Sequence, residues 1–545
     1  MMADWWRGAV IYQIYPRSFL DTDGDGIGNI AGITEKLDYI AQLGVDIIWI
    51  SPFYPSPMKD FGYDVSNYKD IEPIFGSLDD FTELIKKANY LGLKVMIDLV
   101  LSHTSDQHPW FKESRSNADN PKSDWYIWAD PNLDGTPPNN WLSIFGGSAW
   151  EWDTSRRQFY MHNFLTAQPD LNFHNPNVVD AALDVAEFWL ELGVHGFRLD
   201  TVNWYFHDEQ LRDNPPNQGG KLLYVPDASN YGMQEHIYNK SRPEVLPFLE
   251  RFRTLLDRYD AIGLGELTAK ASPEMTPVYT EKDKRLHMVY TFDLLTEDCS
   301  AAHFKRAIHS AEKQMNEGWL CWAFSNHDVV RTVSRWRCES VSVEQQAKFF
   351  LALLLSLRGA VCIYQGEELG LTEAEIDYED LQDPYGIRLW PEFKGRDGCR
   401  TPMPWLHGSP NAGFSDTRPW LPIPQNHVEK TVDEQDFNKD SVLQFCRDFL
   451  SWRKSQPAMN KGLIRILESD ESLLILERQY EDELILAVFN MKGSSQDFDC
   501  SAQYSHVRPI SLNGLCSNQQ DGVVMLPGYS MFFATVLLAN VDKVV

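Results

Sequence analysis

Cysteine is missing from the first half of this 545-residue chain. No cysteine precedes Cys299, and the eight that are present lie between Cys299 and Cys516 without the paired spacing of a metal site. This distribution argues against a disulfide scaffold and against a zinc site built on cysteine pairs. We therefore expect free thiols in a reducing compartment, which predicts a cytoplasmic location.

Positive charge and long apolar runs are also scarce. The chain has 49 Lys and Arg against 78 Asp and Glu, a formal net charge of -29, which argues against nucleic acid and anionic membranes as partners. No stretch reaches the roughly 18 apolar residues of a membrane span. Residues 1–7 show no positive region followed by an apolar run, so no secretory leader is expected. We expect a monomer or homodimer that acts on a small neutral molecule.

What the chain does have is a regular alternation of short β-rich runs and longer amphipathic segments. Hydrophobic residues make up 43% and aromatics 13%, enough for a large core. Helix periodicity is clearest in residues 81–91, 178–192, 245–259 and 345–357. The alternation predicts an α/β fold, a closed (β/α)8 TIM barrel. Its strands are predicted at residues 10–15, 46–51, 94–101, 196–200, 261–266, 288–292, 322–326 and 361–365.

Three segments depart from this alternation and predict the domain organisation. Residues 104–167 interrupt it after the third strand and predict a small inserted domain over the active face, between barrel parts 1–103 and 168–461. A second long loop, residues 370–438, follows the eighth strand and is expected on the same face. Residues 462–545 become short alternating strands, which predicts a C-terminal antiparallel β-sandwich.

Three carboxylates stand at or just after the ends of predicted strands: Asp200, Glu266 and Asp328. The carboxyl ends of barrel strands meet on one face, so these acids should converge there. Cleavage of a glycosidic bond needs one carboxylate at the anomeric carbon and one protonated carboxyl for the leaving oxygen. Arg198 lies two residues before Asp200, on the same strand face, where it can keep Asp200 ionised. The pattern predicts a glycosidase.

In order and spacing, these motifs resemble those of the α-amylase superfamily of glycoside hydrolases, over the whole chain. The segment 168–172, Gln-Pro-Asp-Leu-Asn, is similar to the mark of the oligo-1,6-glucosidase and α-glucosidase branch. The other segments that carry the resemblance are Asp98-Leu99-Val100 with His103, residues 196–200, Gly265-Glu266 and Asn326-His327-Asp328.

The resemblance implies a role for each carboxylate. Asp200 is expected to be the nucleophile that forms a β-glucosyl-enzyme ester, and Glu266 the acid and then the base. Asp328 is expected to bind the sugar hydroxyls at C2 and C3. A retaining mechanism needs two carboxyls about 5 to 5.5 Å apart, which adjacent barrel strands can supply. We expect Asp200 and Asp328 to raise the pKa of Glu266, so that it stays protonated near neutral pH.

The resemblance also implies how the terminal glucose is bound. His103 and His327 are expected to donate hydrogen bonds to its hydroxyl groups. Asp60 is expected to bind the C4 hydroxyl, and Tyr63 to stack on the ring.

An arginine is expected to pair with Asp60 and close the pocket, so that only a non-reducing end fits. Arg400 is the predicted partner, and Arg396 is the competing candidate. The expected pocket wall comprises Phe145, Phe164 and Gln168.

Residues 21–29 place oxygen ligands at alternate positions, with glycines for the tight bend, as in the first half of an EF-hand loop. The twelfth position is Gly32 rather than Glu, which argues against an EF-hand. The resemblance implies instead one structural Ca²⁺ or Mg²⁺ ion in the first barrel loop, and no organic cofactor. Its expected ligands are the side chains of Asp21, Asp23, Asp25 and Asn29 and the carbonyl of Ile27.

The function expected from the resemblance is a retaining, exo-acting α-glucosidase on short α-glucosides, with transglucosylation as a side activity. Thr201 directly follows the expected nucleophile. In this branch, Val at that position accompanies α-1,6 cleavage, whereas smaller or more polar residues accompany α-1,4 cleavage. Thr201 therefore favours cleavage of α-1,4 bonds. A glucosyl transferase, a sucrose isomerase or an oligo-1,6-glucosidase on the same scaffold stays open. A catalytically dead transporter subunit of this fold predicts lost carboxylates and a membrane anchor, and the sequence shows neither.

Overall fold

The computed structural model describes residues 4–219, 225–268, 272–281, 284–314, 318–501, 503–516 and 519–538. Eight parallel strands close into a barrel, in the order β1-β11-β10-β9-β8-β7-β3-β2. This confirms the predicted TIM barrel. The barrel strands are β1 (Val10–Ile14), β2 (Ile47–Ile50), β3 (Lys94–Leu99), β7 (Gly196–Leu199), β8 (Ile262–Leu267), β9 (Met288–Thr291), β10 (Leu320–Ala323) and β11 (Ala360–Tyr364).

The barrel strands are mostly apolar because they are buried on both sides, and charged residues such as Asp98, Arg198 and Glu266 interrupt them. Every residue of β2 and β11, for example, is buried. The seventh predicted strand is shifted: it ends at Ala323 instead of Asn326. The side chain of Asn326 accepts a hydrogen bond from the backbone N–H of Asp328 at 2.8 Å, and this local turn replaces strand pairing.

Helices surround the barrel and begin at identifiable caps. At α3, Ser77 and Asp80 form a capping box, so the helix starts before the predicted residue 81. The helices are α1 (Ile30–Glu35), α2 (Leu37–Leu43), α3 (Leu78–Tyr90), α4 (Pro109–Ser116), α5 (Pro176–Glu191), α6 (Val245–Arg258), α7 (Ser272–Tyr279), α8 (Ala301–Gln314), α9 (Thr332–Arg335), α10 (Val343–Ser356), α11 (Pro384–Leu389), α12 (Gln425–Val428), α13 (Val432–Phe437), α14 (Val442–Ser455) and α15 (Pro457–Lys461).

Between β3 and α5 the chain builds a small antiparallel sheet, in the order β4-β6-β5, from β4 (Trp128–Ala129), β5 (Trp150–Asp153) and β6 (Gln158–Met161). This sheet has its own apolar cluster, which includes Trp141 and Trp150. The inserted segment is therefore a packed unit and not a loose loop.

The C-terminal part consists of antiparallel sheets, as predicted. The five-stranded sheet has the order β12-β13-β14-β19-β16 and the three-stranded sheet the order β15-β18-β17. Phe489 and Phe533 pack against Phe349 and Phe449 of helices α10 and α14, which joins this part to the barrel. The strands are β12 (Leu463–Ile466), β13 (Leu473–Tyr480), β14 (Glu483–Asn490), β15 (Gln496–Asp499), β16 (Tyr504–Pro509), β17 (Gln519–Gln520), β18 (Val523–Leu526) and β19 (Met531–Leu538).

All eight cysteines are free thiols, as the sequence predicts. In the described ranges, no helix combines the length and the apolar character that crossing a bilayer requires.

Candidate active site

A cavity of about 380 Å³ lies over the carboxyl ends of the barrel strands. It is lined by all three predicted catalytic carboxylates, Asp200, Glu266 and Asp328. The barrel supplies two of them directly: Glu266 lies within β8, and Asp200 follows the last residue of β7. Further lining residues come from the inserted segment and from the loop after β11, which both reach this face: Ile144, Phe145, Phe164, Tyr385, Phe393 and Arg396.

Arg198 is the centre of the charged cluster. One of its terminal nitrogens, Nη1, lies 2.6 Å from Asp200 Oδ1 and 2.7 Å from Asp98 Oδ1. The other, Nη2, lies 2.5 Å from Glu266 Oε1. The guanidinium therefore holds Asp200 and Glu266, two of the three predicted catalytic carboxylates, which extends the predicted Arg198 and Asp200 pairing to a four-residue cluster.

Asp98 is the member of this cluster that sequence reasoning did not assign to the site. It is fully buried, and burial raises its pKa to about 7, against the opposing charge of Arg198. Its Oδ2 accepts hydrogen bonds from Tyr63 and Trp49. The sequence signal was an acidic residue inside a predicted buried strand, and the parallel pairing of β3 with β7 places it directly opposite Arg198.

Glu266 has the electrostatic environment of an acid. Burial raises its pKa to about 8, with Asp200 and Asp328 adding to the rise and Arg198 opposing it. Its second oxygen, Oε2, accepts a hydrogen bond from the backbone N–H of Thr201 at 3.0 Å. A carboxyl of this kind can hold a proton near neutral pH and give it to a leaving group.

Asp328 has the opposite character. Burial by itself raises the pKa of a carboxyl, but His327, Arg396 and Arg400 together hold the pKa of Asp328 below its usual range. Arg400 Nη2 lies 2.9 Å and Arg396 Nη1 lies 3.1 Å from Asp328 Oδ1. Asp328 is therefore a fixed negative charge suited to accepting hydrogen bonds from sugar hydroxyls.

The predicted pairing of Arg400 with Asp60 is wrong, and Arg396 is the partner. Arg396 Nη2 lies 2.9 Å from Asp60 Oδ1, whereas the two bonds of Arg400 go to Asp328 and to the carbonyl of His327. The reason is Asp383, which binds Arg396 through Nε at 3.0 Å and Nη2 at 2.7 Å and so directs its guanidinium toward Asp60.

Asp383 was missed by sequence reasoning. It is fully buried, and its side chain also caps α11 by accepting from the backbone N–H of Tyr385. The Asp383-Pro384 pair is a recognisable helix start, and this signal could have located the element that holds Arg396.

The two predicted histidines occupy different positions. His103 lines the cavity, whereas His327 lies behind Tyr63, with the two rings stacked at 5.4 Å. Both ring nitrogens of His327 already have partners, Gln13 at Nδ1 and Tyr63 at Nε2. His327 therefore holds Tyr63 and Asp328 in place, and its predicted hydrogen bond to a sugar hydroxyl requires one of these contacts to give way.

The predicted aromatic wall is partly assembled as expected. Phe145 and Phe164 line the cavity and are joined there by Trp204 and Tyr385, which the sequence did not indicate. Gln168 is not a wall residue. It lies behind the lining residues, because its amide nitrogen reaches Asp60 at 3.1 Å and His103 at 3.2 Å.

Thr201 lines the cavity beside Asp200 and has an unusual backbone, with φ of 41°. Left-handed backbone is rare for a β-branched residue. Here it directs the Thr201 amide to Glu266, so Thr201 contacts both Asp200 and Glu266.

In the first barrel loop, one oxygen from each of Asp21, Asp23 and Asp25 lies within 4.8 Å of the others. Burial raises the pKa of Asp23, and the nearby Asp21 and Asp25 add to the rise. Three converging carboxylates fit a hard divalent cation, which takes oxygen ligands. The side-chain oxygen of Asn29 caps α1 and also accepts from Thr22, and both side-chain oxygens of Asp21 likewise accept hydrogen bonds, so the ligand set stays a prediction.

A parallel barrel with three carboxylates gathered around one cavity is an arrangement that glycoside cleavage can use. The family model "Alpha amylase, catalytic domain" matches residues 13–462, and the chain belongs to the α-amylase family of glycoside hydrolases. A probable α-glucosidase of Rhizobium meliloti (strain 1021) is 55% identical over 536 residues, which is 97% of each chain.

Two further relatives indicate the range of activities around this sequence. An oligo-1,6-glucosidase of Heyndrickxia coagulans is 36% identical, covering 91% of this chain and 94% of its own. The solved structure of an α-glucosyl transfer enzyme, XgtA, matches with a TM-score of 0.95 at 52% identity, covering 98% of this chain and 99% of its own. The protein is thus an enzyme similar to α-glucosidases and oligo-1,6-glucosidases.

Proposed function

We propose that this protein is a retaining, exo-acting α-glucosidase that cleaves terminal α-1,4 bonds of short oligosaccharides such as maltose. The observation that carries the proposal is the shared clamp of Arg198 on Asp200 and Glu266 beside the cavity. A retaining mechanism uses two such carboxyls, one as nucleophile and one as acid and base.

In the first step Asp200 attacks the anomeric carbon while Glu266 gives its proton to the leaving oxygen. Arg198 binds Asp200 Oδ1 at 2.6 Å and so orients this carboxylate, and the raised pKa of Glu266 keeps the Glu266 carboxyl protonated. In the second step Glu266 takes a proton from water, which displaces Asp200 and leaves glucose with its original anomeric configuration.

Exo action is supported by the bridge that Arg396 makes between Asp60 and Asp328, with Asp383 fixing its position. We expect this bridge to stop a longer sugar chain, so that the non-reducing glucose sits against Asp60, Tyr63 and His103.

The preference for α-1,4 bonds rests on Thr201, which offers a hydroxyl where the leaving sugar departs. Transfer of glucose to a sugar or an alcohol in place of water is the second candidate activity. It is favoured by the similarity to an enzyme described as an α-glucosyl transfer enzyme. A transferase is expected to differ in how the part of the cavity lined by Leu295, Thr296 and Val330 receives an acceptor.

We further propose that one Ca²⁺ or Mg²⁺ ion binds Asp21, Asp23, Asp25, Asn29 and the Ile27 carbonyl and stabilises the first barrel loop. The free thiols support a cytoplasmic location.

The test is product analysis by NMR with maltose, isomaltose, sucrose and trehalose, because linkage and anomeric configuration are read together. We expect α-glucose as the first product from maltose. Asp200→Asn is expected to lose roughly four orders of magnitude in turnover. Asp184→Asn, on the exposed face of α5, is the matched control and should turn over normally. β-Glucose as first product, or near-normal turnover by Asp200→Asn, contradicts the proposal.

A further inference from the structure

One acidic residue that lines the cavity differs from the others in its partners. In the described part of the chain the lining includes four acids that bind an arginine side chain: Asp60, Asp200, Glu266 and Asp328. The lining also includes Glu297, which is exposed. The carboxylate of Glu297 makes no hydrogen bond or ion pair with any residue that the structure describes. It is therefore available to accept hydrogen bonds from a bound molecule.

Glu297 lies on the side of the cavity opposite the expected glucose site. It follows β9, whereas Asp60 and Tyr63, which are expected to bind the terminal glucose, follow β2. In the closed barrel, β9 and β2 are four strands apart in either direction. The loops after these two strands therefore face each other across the cavity that both of them line.

The predicted nucleophile and the predicted acid come from strands between these two sides. Asp200 follows β7 and Glu266 lies within β8, and both strands stand between β2 and β9 in the barrel order. Strand β8 pairs directly with β9, where Glu266 is opposite Tyr290. Glu266 is expected to give its proton to the leaving oxygen, so the leaving sugar is expected on the β9 side of this carboxyl.

The backbone beside Glu297 is held by two side chains. Arg335 Nε and Trp336 Nε1 both donate to the carbonyl of Thr296, at 3.0 Å and 2.8 Å. Arg335 also donates through Nη1 to the carbonyl of Val330 at 2.5 Å, which joins the loops after β9 and β10. Burial lowers the pKa of Arg335 to about 10, and the negative charge of Glu297 opposes this fall. Glu297 is thus carried by a fixed backbone with a positive charge near it.

We propose that Glu297 is a specificity-determining residue, which accepts hydrogen bonds from hydroxyl groups of the leaving sugar. A carboxylate only accepts hydrogen bonds, and a sugar ring offers several hydroxyl donors. Leu295 and Val330, which also line the cavity, have apolar side chains and cannot make such bonds. The inference rests on the proposed function as an α-glucosidase.

The contribution of Glu297 should depend on the leaving group. Maltose releases a sugar with several hydroxyl groups, whereas the leaving group of p-nitrophenyl α-glucoside carries none while it is joined to glucose. We expect Glu297→Ala to lower the ratio of kcat/KM on maltose to kcat/KM on p-nitrophenyl α-glucoside about tenfold, the size of a lost hydrogen bond to a charged group. KM for maltose should carry most of the change, because the bond is already made in the bound substrate.

A conservative variant and a control complete the assay. Glu297→Gln keeps one acceptor oxygen and loses the charge, so its ratio should lie between those of the wild type and Glu297→Ala. Glu339→Ala is the matched control, because the Glu339 side chain is 87% exposed and lies outside the cavity lining. Its ratio should equal that of the wild type. The melting temperature of each variant shows that it is folded.

The inference is overturned if the ratio does not fall in Glu297→Ala, whether both rates stay normal or both fall equally. The wild-type assay separates this failure from failure of the proposed function. If the wild type releases α-glucose from maltose and the ratio is unchanged in Glu297→Ala, only the role of Glu297 is refuted. If the wild type cleaves neither substrate, or releases β-glucose first, the proposed function is wrong and the inference falls with it.

Discussion

Glu266 and Asp328 face the same cavity and carry opposite protonation tendencies, because their neighbours differ. Glu266 is deeply buried with two other carboxylates near it, while Asp328 lies between two arginines and His327. Arg198 opposes the rise at Glu266 without cancelling it. A catalytic acid must be protonated and a hydroxyl-binding anion must be ionised, so these two neighbouring carboxylates need different protonation states.

The pH dependence of activity follows from Glu266. Its pKa is raised to about 8, so the protonated form is present below that pH and is lost as the pH rises through it. We expect kcat/KM on maltose to fall on the alkaline side, with a midpoint near pH 8. In Glu266→Gln the overall rate should drop and the alkaline limb should disappear. An unchanged alkaline limb in that variant assigns the titration to another group.

Thr201 is predicted to set linkage preference. Val and Thr have nearly the same shape, so Thr201→Val removes a hydroxyl and little volume. Contacts of this size change discrimination by about 1 to 3 kcal/mol. We expect the wild type to prefer maltose to isomaltose and Thr201→Val to shift the ratio of kcat/KM values toward isomaltose. The idea fails if the wild type prefers isomaltose or if the ratio is unaffected by the substitution.

At the scale of elements, the loop after β11 completes a site that the barrel begins. Helix α11 and the turn that follows it bring Tyr385, Phe393 and Arg396 to the cavity. Asp383 connects the helix to the site, since its side chain caps α11 and also binds Arg396.

We predict that Asp383→Ala damages substrate binding more than chemistry. Arg396 then loses its buried partner, a change that lowers stability by about 3 kcal/mol in comparable buried pairs. The Arg396 guanidinium is also held less firmly against Asp60. KM for maltose should rise by about one to two orders of magnitude with a smaller change in kcat. The matched control is Asp377→Ala, in the same loop, whose exposed side chain makes no cap hydrogen bond. Equal effects of the two substitutions refute this role.

At the scale of the whole molecule, the barrel, the insertion and the C-terminal sheets pack together. The first barrel loop gathers acidic residues that lie away from the catalytic cavity. None of Asp21, Asp23 and Asp25 lines the cavity. Asp21 is tied to the loop after β11 through Ser415, so this loop and the first barrel loop support each other.

Chelation is therefore expected to lower the melting temperature by several degrees while turnover of the folded enzyme stays near normal, by linkage of ion binding to folding. Differential scanning calorimetry and activity assays on the same sample measure both. The variant Asp23→Ala/Asp25→Ala should melt lower and no longer respond to chelator. Immediate loss of activity from an enzyme that remains folded contradicts a purely structural ion.

The sequence by itself determined the barrel, the order of its strands and the three carboxylates at or after their carboxyl ends. These features are local: apolar runs with a fixed periodicity form strands, and strand ends in a parallel barrel share one face. The same local information predicted Arg198 beside Asp200, because residues two apart on a strand point to the same side.

Only the tertiary structure decided which groups meet across distant segments. Arg396 and Arg400 are four residues apart and chemically identical, and the choice between them for Asp60 depends on where Asp383 lies after the loop has folded. Asn29 caps α1 because its side-chain oxygen accepts a hydrogen bond from the backbone N–H of Gly32. Gln168 lies behind the cavity wall because its side-chain amide bonds to Asp60 and His103. Such pairings depend on distances between segments far apart in sequence, and residue type does not encode those distances.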